Sequence, residues 1–253
     1  MKQLLILLIS LSVMPLQRIH SQSVDEILEN YFENTGGRAQ WEALEGVKYK
    51  AKVNQMGMEI PIDIVELKSG KQMTVINFQG QTIKQGVFDG TVVWSINIMT
   101  QKAEKSDQET TDNVIREMGS FPDPFLNYKS LGYTAELMGT EEMDGSECFK
   151  IKLTKKPLIV DGEEVENASY YYFDTENFVP LVVQSEIKSG EMKGQMSESK
   201  MSDYQEVDGL YFPFSLSQGL KGQEGQVISF EEIILNPDIA DSEFAFPEDS
   251  TNE

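Results

Sequence analysis

Hydrophobic and polar residues alternate with a period of two over most of this chain. Val47, Tyr49, Ala51 and Val53 are interleaved with Lys48, Lys50, Lys52 and Asn54, the pattern of a strand with one dry face and one wet one. Ile60, Ile62 and Ile64 repeat it around Pro61 and Asp63. Trp94, Ile96 and Ile98 do so again, and Phe149, Ile151 and Leu153 stand against Lys150 and Lys152. Between such runs come Ser69-Gly70, Asp89-Gly90, Asp144-Gly145, Asp161-Gly162, Ser189-Gly190 and Asp208-Gly209, pairs that supply the positive φ of tight hairpin turns. This punctuation predicts a mainly β chain, a meander of about ten or eleven antiparallel strands, and a single sheet of that size curls and tends to close or wrap around something.

Two stretches change the period. Ser23-Val24-Asp25-Glu26 has the form of a capping box, and Val24, Ile27, Leu28, Tyr31 and Phe32 follow at helical spacing until Gly36-Gly37 ends the run. Ala39 to Leu44, with Trp41, fits one more turn. The second break runs from Lys102 to Leu131. There Ser106-Asp107-Gln108-Glu109 reads as another capping box, and Val114, Ile115 and Met118 form an apolar stripe on a short helix. Phe121-Pro122-Asp123-Pro124-Phe125-Leu126 comes next, where two prolines stop the helix and present aromatic rings on a stiff loop. Two readings stay open for this stretch: a movable cover over a curved sheet, or a helix that plugs one end of a barrel as ordinary core.

The N-terminal segment has a different character. Met1 to Ser23 has Lys2 near its start, the apolar run Leu4 to Ile9 and the small-residue stretch Ser21-Gln22-Ser23, the layout of a cleaved secretory signal; the run is too short for a bilayer span. Residues 24–253 then form the mature chain, with no segment that reads as a linker. Cleavage removes His20, the one histidine, together with Lys2 and Arg18 and no acid, so a net charge of −21 becomes −23. Such an acidic surface argues against nucleic acid and against adhesion to an anionic membrane, and serves solubility. Cys148 is alone, so no internal disulfide forms, and its place in an alternating run suits a small buried residue. No Cys follows the leader where a bacterial lipoprotein would be acylated.

The same inventory excludes most chemistry. A serine or cysteine nucleophile would lack a histidine base, a zinc site would lack its usual ligands, and no phosphate-cradling glycine loop or dinucleotide fingerprint is present, so nucleotide is excluded and no cofactor is expected. Carboxylate pairs are uninformative among 42 acids. What remains is apolar surface in a large sheet, with adaptable methionines such as Met58, Met73, Met118, Met138, Met192 and Met196.

Several stretches in order resemble the outer-membrane lipoprotein carrier family, the LolA/LolB-like superfamily of Gram-negative periplasms. They are the amphipathic helix before the first strand, Phe88-Asp89-Gly90-Thr91-Val92-Val93-Trp94, and Tyr171-Tyr172-Phe173-Asp174 leading to Val179-Pro180-Leu181. Tyr204-Gln205-Glu206-Val207-Asp208-Gly209-Leu210-Tyr211-Phe212-Pro213 and the ending Leu235-Asn236-Pro237 with Phe244-Ala245-Phe246-Pro247 complete the series. The resemblance implies an unclosed β-barrel covered by an N-terminal helix and a mid-chain helix and loop. It implies a non-enzymatic periplasmic carrier that shelters lipoprotein acyl chains, or another lipid, between an inner-membrane donor and an outer-membrane acceptor. One departure stands out: the family's basic K-R-P turn, with its functional arginine, is replaced by Lys68-Ser69-Gly70-Lys71. The cargo is therefore open between a lipoprotein and another amphiphile.

On this reading the cavity and lid residues are Ile60, Ile62, Ile64, Met73, Trp94, Ile96, Ile98, Val114, Met118, Phe121 and Phe125. The runner-up is a non-catalytic envelope interaction or assembly module built on the same scaffold.

Overall fold

A computed structural model describes residues 22–247 apart from Met56, so the leader expected at residues 1–23 lies almost wholly outside the described residues. The chain opens with α1 (Val24–Asn34) and α2 (Arg38–Glu42). The first long strands are β1 (Gly46–Gln55), β2 (Met58–Leu67), β3 (Gln72–Phe78) and β4 (Gln81–Phe88), followed by the short β5 (Val93–Ile96) and β6 (Ala103–Lys105). After α3 (Gln108–Glu117) come β7 (Thr134–Met143), β8 (Ser146–Thr154), the small hairpin β9 (Leu158–Val160) and β10 (Glu163–Val165), β11 (Ala168–Asp174) and β12 (Pro180–Glu186). The last strands are β13 (Met196–Val207), β14 (Leu210–Leu220) and β15 (Gln226–Leu235).

Thirteen strands form one antiparallel sheet in the order β6-β5-β4-β3-β2-β1-β15-β14-β13-β12-β11-β8-β7, and β9 and β10 pair apart from it. The sheet is not closed, since β6 and β7 are its two edges. The count exceeds the about ten or eleven that alternation marks because β5, β6, β9 and β10 are only three or four residues long, too short to show a period. All six sequence-marked turn pairs fall between strands. At Asp144-Gly145, Asp161-Gly162 and Asp208-Gly209 both residues have positive φ, the geometry that two-residue hairpins require. Gln79-Gly80 does the same between β3 and β4, a turn that composition does not mark because glutamine is not a turn-forming residue.

α1 begins as expected: Ser23 Oγ accepts from Glu26 N at 3.2 Å while Ser23 N donates to Glu26 Oε2 at 2.8 Å. It buries Ile27, Leu28, Tyr31 and Phe32 against the sheet. Thr35 ends it, donating from Oγ1 to the Tyr31 carbonyl at 2.7 Å and accepting from Trp41 Nε1 at 3.0 Å. The main core gathers these residues with Trp41, Leu44, Val47, Phe125, Ile151, Leu153, Phe173, Leu210, Phe212 and Ile233. We call the side of the sheet that carries α1 and α2 the inner face.

On the opposite, outer face a second cluster joins Val65, Met73, Val87, Trp94 and Phe244. The C-terminal segment lies over it: Trp94 Nε1 donates to the Phe244 carbonyl at 2.9 Å, and the Trp94 ring meets Phe246 edge-on with centroids 5.9 Å apart. A third, smaller outer cluster holds Cys148, Tyr172 and Val182. Burial there, with nearby carboxylates, pushes the Cys148 thiol up to about 11, so it stays a protonated, inert core group. Lysines cover the rest of the outer face, each beside an acid: Lys48 on Asp63, Lys50 on Glu232, Lys52 on Glu231, Lys150 on Glu141 and Lys152 on Glu166.

Candidate functional site

The inner face of the first four strands differs from that of the rest. Register puts Tyr49 opposite Ile64, Ala51 opposite Ile62 and Val53 opposite Ile60, and then Ile62 opposite Ile76 and Ile76 opposite Ile83. On the other side of β1, Val53 stands opposite Ile228, Ile228 opposite Leu216 and Leu216 opposite Met201. Tyr49 fixes which face this is, because its ring packs on Phe212 and Phe230 of the main core with centroids 6.4 and 5.4 Å apart. An apolar band thus crosses the inner face. Ala51, Ile62 and Ile83 are buried, whereas Val53, Ile60, Ile64, Ile76, Met201, Leu216 and Ile228 are only half-buried, which α1 and α2 do not change.

The segment from α3 to Tyr133 forms the cover. Its helix starts one residue later than the sequence suggests: Asp107, not Ser106, is the N-cap, accepting from Thr110 N at 2.7 Å. Glu109 is thereby released to accept from Asp161 N and Gly162 N in the β9–β10 turn at 3.2 and 2.9 Å. Asn113 exchanges two 2.7 Å bonds with the Ile159 backbone, and Thr111 Oγ1 accepts from Val93 N at 3.2 Å. α3 therefore straps β5, near one edge of the sheet, to the β9–β10 hairpin that leaves it between β8 and β11. It does this with polar side chains. Thr111 is its one buried residue among those described, while Ile115 and Met118 are 44% and 36% exposed.

Below α3 the proline loop enters the main core. Phe125 is 1% exposed and its ring meets Tyr171 and Phe173 at 4.7 and 5.5 Å. Asp123 holds the loop down by accepting from Tyr31 Oη at 3.0 Å and from Phe125 N at 2.8 Å. Desolvation outweighs both bonds and the Arg38 charge, and raises the Asp123 carboxyl to about 6. The same enclosure raises the phenols of Tyr31, Tyr49, Tyr171 and Tyr204, on all of which the Asp123 charge also acts.

Between this loop and the β2–β3 hairpin lies a cleft of about 300 Å³, at the small end of ligand-site volumes. Leu67, Met118, Phe121, Pro122 and Pro124 supply its apolar lining, with Glu66, Lys71, Glu117 and Lys155 as its charged groups. Lys71 is held by Asp241 at 2.7 Å and Lys155 by Glu117, which also accepts from Asn167 at 3.0 Å.

The structure brings Ile60, Ile62 and Ile64 to the inner face and Met118 and Phe121 to the cleft. Val114 is half-buried on the strap. Five expectations need correction. Met73, Trp94 and Ile96 lie on the outer face beneath the C-terminal segment, and Ile98 stands 60% exposed in the turn after β5. Alternation shows that Trp94 and Ile96 share a face, but the pairing of Trp94 with Val87 decides which one. Phe125 is an anchor of the core and not an exposed lid contact. Ile76, Ile83, Leu216, Ile228 and Glu66 share the inner face and are not among the sequence candidates, and in β3 the apolar Val75 between Thr74 and Ile76 blurs the period.

Comparison with solved structures places this architecture. A LolA superfamily protein from Nitrosomonas europaea superposes with a TM-score of 0.53 at 15% identity, covering 89% of this chain and 98% of that one. The chain has a LolA-like fold. An outer membrane lipoprotein-sorting protein domain from Vibrio parahaemolyticus matches with a TM-score of 0.50 at 8% identity, over 87% and 94% of the two chains. A DUF1329 family protein from Desulfovibrio piger does so with 0.50 at 14% identity, over 87% and 97%. No protein-family model matches the sequence, and no curated protein matches it. The LolA-like fold is thus carried by geometry at identities where sequence similarity has nearly vanished. Among the described residues no helix is long and apolar enough to cross a membrane.

Proposed function

We propose that this protein is a non-enzymatic lipid carrier of the Gram-negative periplasm, exported by a cleaved leader. It holds the acyl chains of a lipoprotein, or of another lipid, against the isoleucine band of its inner face. A donor in the inner membrane loads it and an acceptor at the outer membrane unloads it. The observation that carries this reading is the half-buried band itself: Ile60, Ile64, Ile76, Leu216 and Ile228 face inward, yet among the described residues the helices leave them partly uncovered. Apolar surface of this kind is costly in water, and covering it with an acyl chain gains about 0.8 kcal/mol for each buried methylene. The LolA-like fold, shared with an outer membrane lipoprotein-sorting protein domain from Vibrio parahaemolyticus, supports the same reading.

Native mass spectrometry of gently purified protein tests it, followed by titration of the delipidated protein with a fluorescent acyl probe. Co-purifying lipid, and probe binding that falls at least tenfold in Ile64→Asp, are expected. A lipid-free protein that also fails to bind the probe would leave the envelope-assembly module as the better account of the scaffold.

A further inference from the structure

Four hairpins close one end of the sheet. The antiparallel order places the β5–β6, β3–β4, β1–β2 and β14–β15 turns side by side there, across eight neighbouring strands. β1 and β2 are ten residues long, so this end stands about 30 Å from the other. The two ends differ in charge. The four turns hold Lys102 and Lys221 against a single acid, Glu224, whereas the connections at the far ends of the same strands hold Glu45, Asp89, Asp208, Asp238 and Asp241 against Lys68 and Lys71. Glu59 and Glu104, the first acids down β2 and β6, are engaged by Lys52 and Asn97 at 3.4 and 3.0 Å.

This acid-poor end is also where apolar side chains stand in water. Met99 and Ile98, at 92% and 60%, are the most exposed large apolar side chains among the described residues, and both lie in the β5–β6 turn. Met58 and Val227 are about half exposed beside the β1–β2 and β14–β15 turns. Asn97 satisfies the β5–β6 turn from within: its Oδ1 accepts from Met99 N at 2.9 Å and from Thr100 N at 3.1 Å, and its carbonyl accepts from Gln101 N at 2.8 Å. A turn whose amides are already bonded enters a less polar medium without stranding them. Met58 has a further property. It shares its face of β2 with Ile60, Ile62 and Ile64, so an apolar stripe runs from the inner face to this rim. The series of acid-poor turns ends at the β12–β13 turn, where Met192 is again exposed but Lys193 faces Asp161 of the β9–β10 turn at 4.0 Å.

We propose that this end docks on a phospholipid bilayer, with Ile98 and Met99 entering its interfacial layer, and that an acyl chain passes between the bilayer and the inner face along the β2 stripe. Docking stands on the exposed turns alone, whereas the passage of a chain rests on the lipid-carrier reading above. Charge sets the orientation. A chain of net charge −21 is repelled by an anionic surface in most approaches. At physiological ionic strength the Debye length is about 8 Å, so the acids of the far end are screened when the acid-poor end leads. A bilayer suits these side chains better than a protein partner does, because they stand on separate turns without the aromatic or arginine anchors on which protein interfaces depend.

The test labels Met99→Cys with the fluorophore NBD and, as an exposed control on the edge strand β7, Met138→Cys; Cys148 is buried and stays unlabelled. Delipidated protein is mixed with vesicles of phosphatidylethanolamine and phosphatidylglycerol at physiological ionic strength. Emission is expected to shift to the blue for the label on Met99→Cys and to stay unchanged for that on Met138→Cys. Without label, Ile98→Ser combined with Met99→Ser is expected to lower flotation with vesicles at least fivefold. The same pair should slow uptake of a fluorescent acyl probe from the vesicles at least fivefold and leave binding of the probe from solution unchanged. Absence of vesicle binding, or equal shifts of the two labels, would overturn docking. So would a blue shift that develops without vesicles as the protein is concentrated, because a second copy would then occupy these turns. Uptake from vesicles that is unaffected by the paired substitution would overturn the route along β2. A protein that docks but does not bind the probe would overturn the carrier reading and leave docking standing.

Discussion

The two halves of the inner face have the same strand geometry and opposite fates. From β15 round to β7, apart from the strand ends that carry Met201, Leu216 and Ile228, the sheet is covered by α1, α2 and the proline loop, and aromatic rings interlock: Tyr31 on Phe173 at 5.5 Å, Trp41 on Phe212 at 5.1 Å, Phe125 on Tyr171 at 4.7 Å. From β1 to β4 many of the inward residues are β-branched aliphatics, and among the described residues no helix lies on them as α1 does on the first half. Large flat rings anchor a cover and bury themselves with it. Isoleucines make a smooth, conformationally stiff wall that suits a guest with no fixed shape. One half is therefore the protein's core, and the other is the surface on which the carrier reading depends.

Truncation should separate the halves most sharply. Phe173→Ala is expected to destabilise the fold by about 3–5 kcal/mol, and Ile64→Ala by less than about 2 kcal/mol, both read by chemical denaturation. Equal losses would show that the isoleucine band is packed core after all.

The second effect lies at the boundary between the halves, where Asp123 pins the loop to Tyr31. Its carboxyl is raised from its ordinary 3.8 to about 6, so the folded chain prefers the neutral acid. The stability contributed by that preference is complete below pH 3.8 and is lost as pH rises through about 6. Asp123→Asn stays neutral throughout. Its stability relative to the parent should rise from near zero at pH 4 to at most about 3 kcal/mol at pH 7.5, and by less where cleft water screens the charge. A pH-independent difference would mean that the carboxyl is not desolvated.

Overpacking offers a finer comparison. Leu153→Phe in the filled half should cost about 1–3 kcal/mol. Ile64→Phe in the open half should cost little and still reduce acyl-probe binding, because the ring takes up space meant for a guest. The smallest effect is expected at Ile98→Ser, within about 0.5 kcal/mol in stability and without change in binding, since that side chain stands outside both halves.

The first half was the easier one to read. The capping box at Ser23, the helical spacing of Ile27, Leu28, Tyr31 and Phe32, and the glycine stop are local signals, and α1 follows them closely. The strand runs and hairpin turns are equally local, which is why the meander was legible. The start of α3 was read one residue early, since Ser106 and Asp107 both suit an N-cap and only the contact of Glu109 with the β9–β10 turn separates them. The candidate site was legible only in part. Ile60, Ile62 and Ile64 share the inner face with Tyr49, whereas Trp94 and Ile96 have an equally clear period and point the other way.

The sequence by itself determined the period of each element, the places where the chain turns, and an inventory whose one histidine is His20, on which few catalytic mechanisms could be built. Those properties depend on neighbours a few residues apart. Tertiary structure alone decided which side of each strand faces inward, which aromatics fill the core, and that Glu66 shares the face of Tyr49 while Lys48, Lys50 and Lys52 take the other. A strand's two faces are equivalent until pairing with distant strands, as of β1 with β15, fixes register, and no local pattern contains that information.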